Sequence, residues 1–169
     1  MKFSKKSQAW SMDIIIAVMI FSAGMLVFLI YTLNGSVDSS NRLESLSTEG
    51  DLIMNNILGE GSPDDWNIGN VKKIGIMSND KINQTKFEKF YNLSVSDYSK
   101  TRSLFNTKYH YLFYFDNMTI FGNPVSGIGK PGATINNIKN NSIDLIRITR
   151  FTSYKEKPLT VYLYVWNEE

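Results

Sequence analysis

From Ile14 to Leu33 the chain reads IIIAVMIFSAGMLVFLIYTL, 20 residues without a charge, directly behind Lys2, Lys5, Lys6 and the acid Asp13. At ~1.5 Å of rise per residue, such a run is long enough to cross the hydrocarbon core of a bilayer as a helix. Polar positions then interleave. Val37, Leu43, Leu46, Gly50, Ile53 and Ile57 recur at helical spacing, with Asp38, Arg42, Glu44, Glu49 and Asp51 between them. The pattern predicts one long N-terminal helix, apolar all round over 14–33 and amphipathic over 34–58, stopped by Gly59, Gly61 and Pro63. Asn34-Gly35-Ser36 is the weak point of that helix, able to hold a kink or break, because these residues are poor helix formers.

Beyond the loop GEGSPDDWN, Val71 to Met77 reads as a short strand. Thr85 to Tyr91 and Ser96 to Phe105 read as short helices, the second opened by Ser96 with Asp97 and Ser99 close behind. The period changes at Lys108 to Phe115, KYHYLFYF, whose aromatic content predicts a buried strand, with Asp116-Asn117 as a turn and Met118 to Phe121 as a continuation. Gly122 to Thr134, GNPVSGIGKPGAT, reads as an irregular loop. Ser142 to Tyr154 and Leu159 to Trp166 read as strands separated by Lys155, Glu156, Lys157 and Pro158. Alternation in TVYLYVW sets Val161, Leu163 and Val165 on one face and Tyr162, Tyr164 and Trp166 on the other, so both faces need cover. The expected fold class is α+β: a long N-terminal helix, transmembrane in its first half and amphipathic in its second, packed on an antiparallel β-sheet head with short helices. The expected segments are 1–13 as a basic leader, 14–33 as the membrane helix, 34–58 as its amphipathic continuation and 59–169 as the head.

Charge sharpens this picture. Lysines beside a hydrophobic span stay on the cytoplasmic side, so the expected topology is N-terminus inside and head outside. A cleaved secretory signal would show an apolar core of roughly 7 to 15 residues and a small-residue cleavage site. Here the run is longer, and Tyr31-Thr32-Leu33-Asn34 offers no such site, so retention is expected. Setting aside Lys2, Lys5, Lys6 and Asp13 leaves 15 basic and 15 acidic residues, a neutral balance that lacks the positive field of a general nucleic-acid binder. At 169 residues the chain has room for one well-cored domain besides the anchor. It has no cysteine, which excludes disulfides, thiol catalysis and cysteine-ligated zinc.

The N-terminal stretch KKSQAWSMDIIIAVMIF resembles the start of a type IV prepilin, most closely archaeal pilin-like proteins. In that family a membrane prepilin peptidase cuts between the basic leader and the hydrophobic segment, and the helix then serves as membrane anchor and filament core. The resemblance covers roughly the first third of the chain; past Leu58 it is architectural only. Two cuts fit. One between Ser7 and Gln8 precedes Gln, as in one archaeal class, and leaves Asp13 as the sixth mature residue. One between Gln8 and Ala9 makes Asp13 the fifth, where the family's acid usually stands, with Asp in place of the commoner Glu. The resemblance implies that Asp13 pairs with the new N-terminal amine of a neighbouring subunit. Independently, a carboxylate at the apolar edge of a membrane helix costs free energy, ~2.5–3.5 kcal/mol at the centre and less at the boundary, so it is usually functional or paired. The bland alternative puts Asp13 among headgroups beside the lysines of an uncleaved anchor. Small residues Ala17, Ser22, Ala23 and Gly24 would let helices approach closely. The implied partners are the lipid bilayer, a prepilin peptidase and other pilin-like subunits or a second copy, with the head extracellular. The alternative is a non-polymerising single-pass surface protein whose head binds another envelope component. Helix continuity through Asn34-Gly35 favours the first reading and a flexible break the second.

Other motifs carry less. Gly122 and Gly127-Ile128-Gly129-Lys130 miss the phosphate-loop spacing, because Ile128 stands where the lysine belongs and Pro131 follows Lys130. His110 is the single histidine, and its alternation with Tyr109 and Tyr111 reads as a satisfied strand residue rather than a base. Asp64 and Asp65 lack a calcium-loop frame and read as a solvated turn before Trp66. Five sequons, at Asn34, Asn83, Asn92, Asn117 and Asn140, make these residues glycosylation candidates on an exported surface. The alternating aromatics read as sheet core rather than a ligand platform. No set of nucleophile, base and orienting group is recognisable, so the expectation is no enzyme, no catalytic residue, no cofactor and no metal.

Overall fold

The computed structural model describes the backbone of residues 5–115 and 127–168, and their side chains apart from those of 5–11 and 34–39. The expected turn at Asp116-Asn117, the continuation over Met118–Phe121 and the loop as far as Ser126 lie outside the described residues. The protein is α+β, with a long N-terminal helix that includes the apolar run and with antiparallel sheets. It divides into two compact units, Met1–Asn41 and Arg42–Glu169.

Helix α1 runs over Lys5–Ile57, and its backbone is helical through the weak point Asn34-Gly35-Ser36. In the first unit every described side chain from Met12 to Leu33 is exposed. In the second unit Leu46, Gly50, Ile53, Met54 and Ile57 are buried, a helical stripe three and four residues apart. Leu43, expected on that stripe, is 43% exposed, and Met54 takes a core position that the pattern did not mark. Gly50 matters because a Cβ there would meet Ile148 Cδ1 at 2.7 Å, Ile146 Cδ1 at 3.0 Å and Val165 Cγ2 at 3.2 Å, so backbone and sheet side chains touch directly.

The remaining elements follow in order: β1 (Met77–Ser78), β2 (Lys81–Ile82), α2 (Gln84–Ser96), α3 (Tyr98–Phe105), β3 (His110–Phe115), β4 (Ile128–Gly129), α4 (Ile135–Asn141), β5 (Asp144–Tyr154) and β6 (Lys157–Asn167). The strands β1 and β2 form a small hairpin, and the main sheet has the order β4-β3-β6-β5 with every pairing antiparallel. One face of the sheet contributes Tyr111, Phe113, Phe115, Val161, Leu163 and Val165 to the main core, which also holds Leu46, Ile53, Met54 and Ile57 of α1 and Phe87, Phe90 and Leu93 of α2. The other face carries a second cluster, Leu112, Tyr164 and Trp166 under Ile138 of α4. Both faces are therefore covered at this end of the sheet.

Helix starts are chemically explicit. Asn83 caps α2 by accepting from the Lys86 amide at 3.2 Å, and Asp97 caps α3 by accepting from the Lys100 amide at 2.9 Å. Ser96, expected to open α3, belongs instead to the last turn of α2. Of the strand expected over Val71–Met77, only Met77 lies in a strand, at the start of β1, and Lys73 makes an isolated antiparallel bridge to Ser62. That segment donates to carbonyls at the end of α1, Ile76 N to Ile57 O at 2.8 Å and Met77 N to Gly59 O at 2.9 Å, and so completes the helix terminus rather than a sheet. Its apolar residues Ile74 and Ile76 are buried, which explains why the run looked strand-like.

Candidate functional site

Two places combine unusual residues, and each belongs to its own unit. The first is the segment Met12–Leu33 of α1, 22 residues long with a mean hydropathy of 2.7 and none of it buried by the protein. By length and composition it is one candidate membrane-spanning helix near the N-terminus. Its charged member is Asp13, which is exposed. At ~100° per residue, Asp13, Ala17 and Gly24 fall within a sector of about 40°, whereas Ser22 and Ala23 point well away from it. The four small residues therefore do not form a single stripe, but two of them share the face of the acid. A Cβ at Gly24 would meet nothing within 4 Å, so no neighbour in the chain demands glycine there.

The second place gathers around His110 at the start of β3. Register sets His110 opposite Trp166, and their ring centroids stand 5.8 Å apart. Tyr98 of α3 stacks against the imidazole at 6.1 Å, with its hydroxyl 3.2 Å from Nδ1. That hydroxyl also accepts the Tyr111 amide at 3.2 Å. Nε2 faces Glu168 Oε2 at 3.8 Å. Glu168 accepts from Trp166 Nε1 at 2.7 Å and pairs with the Lys130 ammonium. Lys130 is fixed by its backbone as well, donating to Tyr111 O at 3.0 Å.

Electrostatics follow from this packing. Burial first, then the charge of Lys130, holds the His110 pKa below the ordinary histidine value, with Glu168 pulling the other way and Arg102 adding to the depression. The hydrogen bond from Lys130, followed by that from Trp166, lowers the Glu168 carboxyl. Burial pushes the Tyr98 hydroxyl up to about 12 and raises Tyr111 as well. With its pKa held below the ordinary histidine value, His110 is neutral at pH 7 and packs against the rings of Tyr98 and Trp166.

Asp64 turns out to be structural. The Lys86 ammonium, almost wholly buried, donates to Glu60 O at 2.8 Å, Asp64 Oδ1 at 2.5 Å and Met77 O at 3.2 Å, and that hydrogen bond together with the positive charge lowers the Asp64 carboxyl. Trp66, two residues on, is fully buried and donates to Gly75 O at 3.0 Å. Among the described residues no group of three histidine, cysteine or acidic side chains is placed to hold a metal.

The backbone of Ser7, Gln8 and Ala9 lies within α1, and their side chains are outside the described residues, as is that of Asn34; Asn117 is outside entirely. Asn83 uses its side chain at both ends, capping α2 and donating Nδ2 to Ser78 Oγ at 3.3 Å. Asn92 is exposed on α2, while Ser94 of its sequon is buried and donates to Gly129 O at 3.2 Å. Asn140 is exposed near the end of α4. The chain matches no family model, no curated protein and no solved structure. Sequence reasoning singled out His110 but missed Tyr98, Lys130 and Glu168. No local signal marks them, because the fold gathers them from α3, the loop after β4 and the end of β6.

Proposed function

We propose that this protein is a type IV pilin-like structural subunit, held in the membrane by its hydrophobic helix and then assembled into a surface filament or pseudopilus. The observation that carries the reading is α1 itself, helical from Lys5 to Ile57 and so joining the apolar run to the buried stripe Leu46–Ile57. In this reading the first half of α1 is the membrane and filament-core segment. The second half is an amphipathic strut packed on the sheet, whose close approach at Gly50 supports it. The apolar side chains of Ile14–Leu33 exchange lipid for neighbouring helices, and the same surface stays out of water in either state. The N-terminus is cytoplasmic and the head extracellular, with a prepilin peptidase and sibling subunits as partners. The role is structural, not enzymatic.

Asp13 is the assembly residue in this account, since a carboxylate at the edge of the apolar run is satisfied by a neighbour's N-terminal amine. Its place on the same helix face as Ala17 and Gly24 supports close approach on that side. Replacing Asp13 with Ala is expected to abolish filament recovery while membrane fractionation of the full chain is unchanged. Normal filaments from Asp13→Ala would remove the assigned role.

A further inference from the structure

Lys130, Pro131, Gly132 and Ala133 form a ridge with an open groove on either side. One groove, of about 400 Å³, faces Tyr91, Ser94 and Val95 of α2; the other, of about 370 Å³, faces Asn137 and Asn141 of α4 together with Trp166 and Glu168. The ridge has two backbone ties at its near end, Lys130 N to Tyr111 O at 3.0 Å and Ser94 Oγ to Gly129 O at 3.2 Å. Its charged tie is the Lys130 ammonium on Glu168, and that same carboxylate oxygen is the one facing His110 Nε2 at 3.8 Å.

We infer that His110 and Lys130 compete for the Glu168 carboxylate, so that the ridge between the two grooves is latched at neutral pH and loosened when His110 takes a proton. The charged and titratable groups facing His110 are Tyr98 and Arg102 of α3, Lys130 of the ridge and Glu168 beyond β6. With a neutral imidazole, one carboxylate serves one ammonium and the indole of Trp166. Protonation makes the ring a second cation at a single acid. The imidazolium closes on Oε2, whereas the Lys130 side chain, partly exposed, has water as an alternative partner. The ridge then keeps its backbone ties and loses its side-chain clamp.

The direction of the pH effect is fixed by linkage. Burial first and then the Lys130 charge hold the His110 pKa below its ordinary value of about 6.5; release removes the Lys130 part, so the freed state binds the proton more readily and acid favours release. The clamp is fully present above that ordinary value and weakens as pH falls through the window below it. Glu168, whose carboxyl is also lowered, adds a second loss in the same direction at still lower pH.

The single histidine makes the test clean. In the full chain in detergent micelles, amide hydrogen exchange across 127–134 is compared at about pH 7.5 and about pH 5.5, corrected for intrinsic exchange. Protection of the ridge is expected to fall at least about fivefold on acidification in the parent chain, and to be independent of pH in His110→Gln. Unchanged protection in the parent, or an equal fall in His110→Gln, overturns the latch. A second measurement does not depend on that variant folding: the ring resonance of His110 is expected to titrate below about 6.5 and to move upward in Lys130→Met. An unshifted titration that ignores Lys130→Met overturns it as well.

Discussion

Phe21 and Phe113 are the same residue in one chain, yet the first is 72% exposed and the second not at all. The difference is general to their surroundings. Around Phe113 the head supplies aromatic neighbours, Phe90 at 6.4 Å and Phe115 at 5.5 Å between ring centroids, in tilted and edge-on geometry. Phe21, like every described side chain from Met12 to Leu33, is instead exposed. A head of this kind satisfies its apolar surface by folding. A helix of this kind satisfies it only through something outside the chain, and burying each such side chain is worth ~1.5–3 kcal/mol. That contrast is the physical basis for reading Met12–Leu33 as a lipid-facing or helix-facing segment.

The contrast can be broken by paired substitutions. Phe113→Ala is expected to destabilise the head by ~3–5 kcal/mol through lost transfer energy and a residual cavity, read as a lowered thermal midpoint of the full chain in micelles. Phe21→Ala is expected to leave that midpoint where it was. Equal shifts would mean that the apolar segment is part of the folded core after all. A smaller effect distinguishes the two glycines of α1. Gly50→Val drives its side chain into Ile146, Ile148 and Val165 and is expected to cost ~1–3 kcal/mol, whereas Gly24→Val meets nothing and leaves the head's unfolding unchanged.

The same contrast explains what could be read in advance. The apolar run was legible because twenty uncharged residues admit few other structures in any context. The buried stripe of α1 was legible at Leu46, Gly50, Ile53 and Ile57, since period alone marks a packed helix face. Leu43 went the other way because burial depends on which neighbours arrive, which period does not encode. The long strands β5 and β6 were recognisable, but their turn was not. Lys155 and Glu156 adopt left-handed conformations, φ of 48° and 66°, where Asn-Gly is the usual signal, so the separator looked four residues long. The Asn79-Asp80 turn between β1 and β2 takes the same geometry with more suitable residues. Neither β4 nor α4 was foreseen, since two paired residues and a short polar helix leave little pattern. The cluster around His110 was beyond sequence reach for a different reason: Tyr98, Lys130 and Glu168 become neighbours only through strand register and the return of β6 beside β3.

Asp13 was legible as a lone acid at the border of an apolar run, and the role proposed for it is tied to processing of the segment before it. The most direct test of the account is therefore the mature N-terminus, determined by mass spectrometry of the protein recovered from membranes and from shed surface material. The account predicts a chain beginning at Gln8 or Ala9; a chain that retains Met1 or Lys2 would contradict it and leave an uncleaved anchor carrying the head.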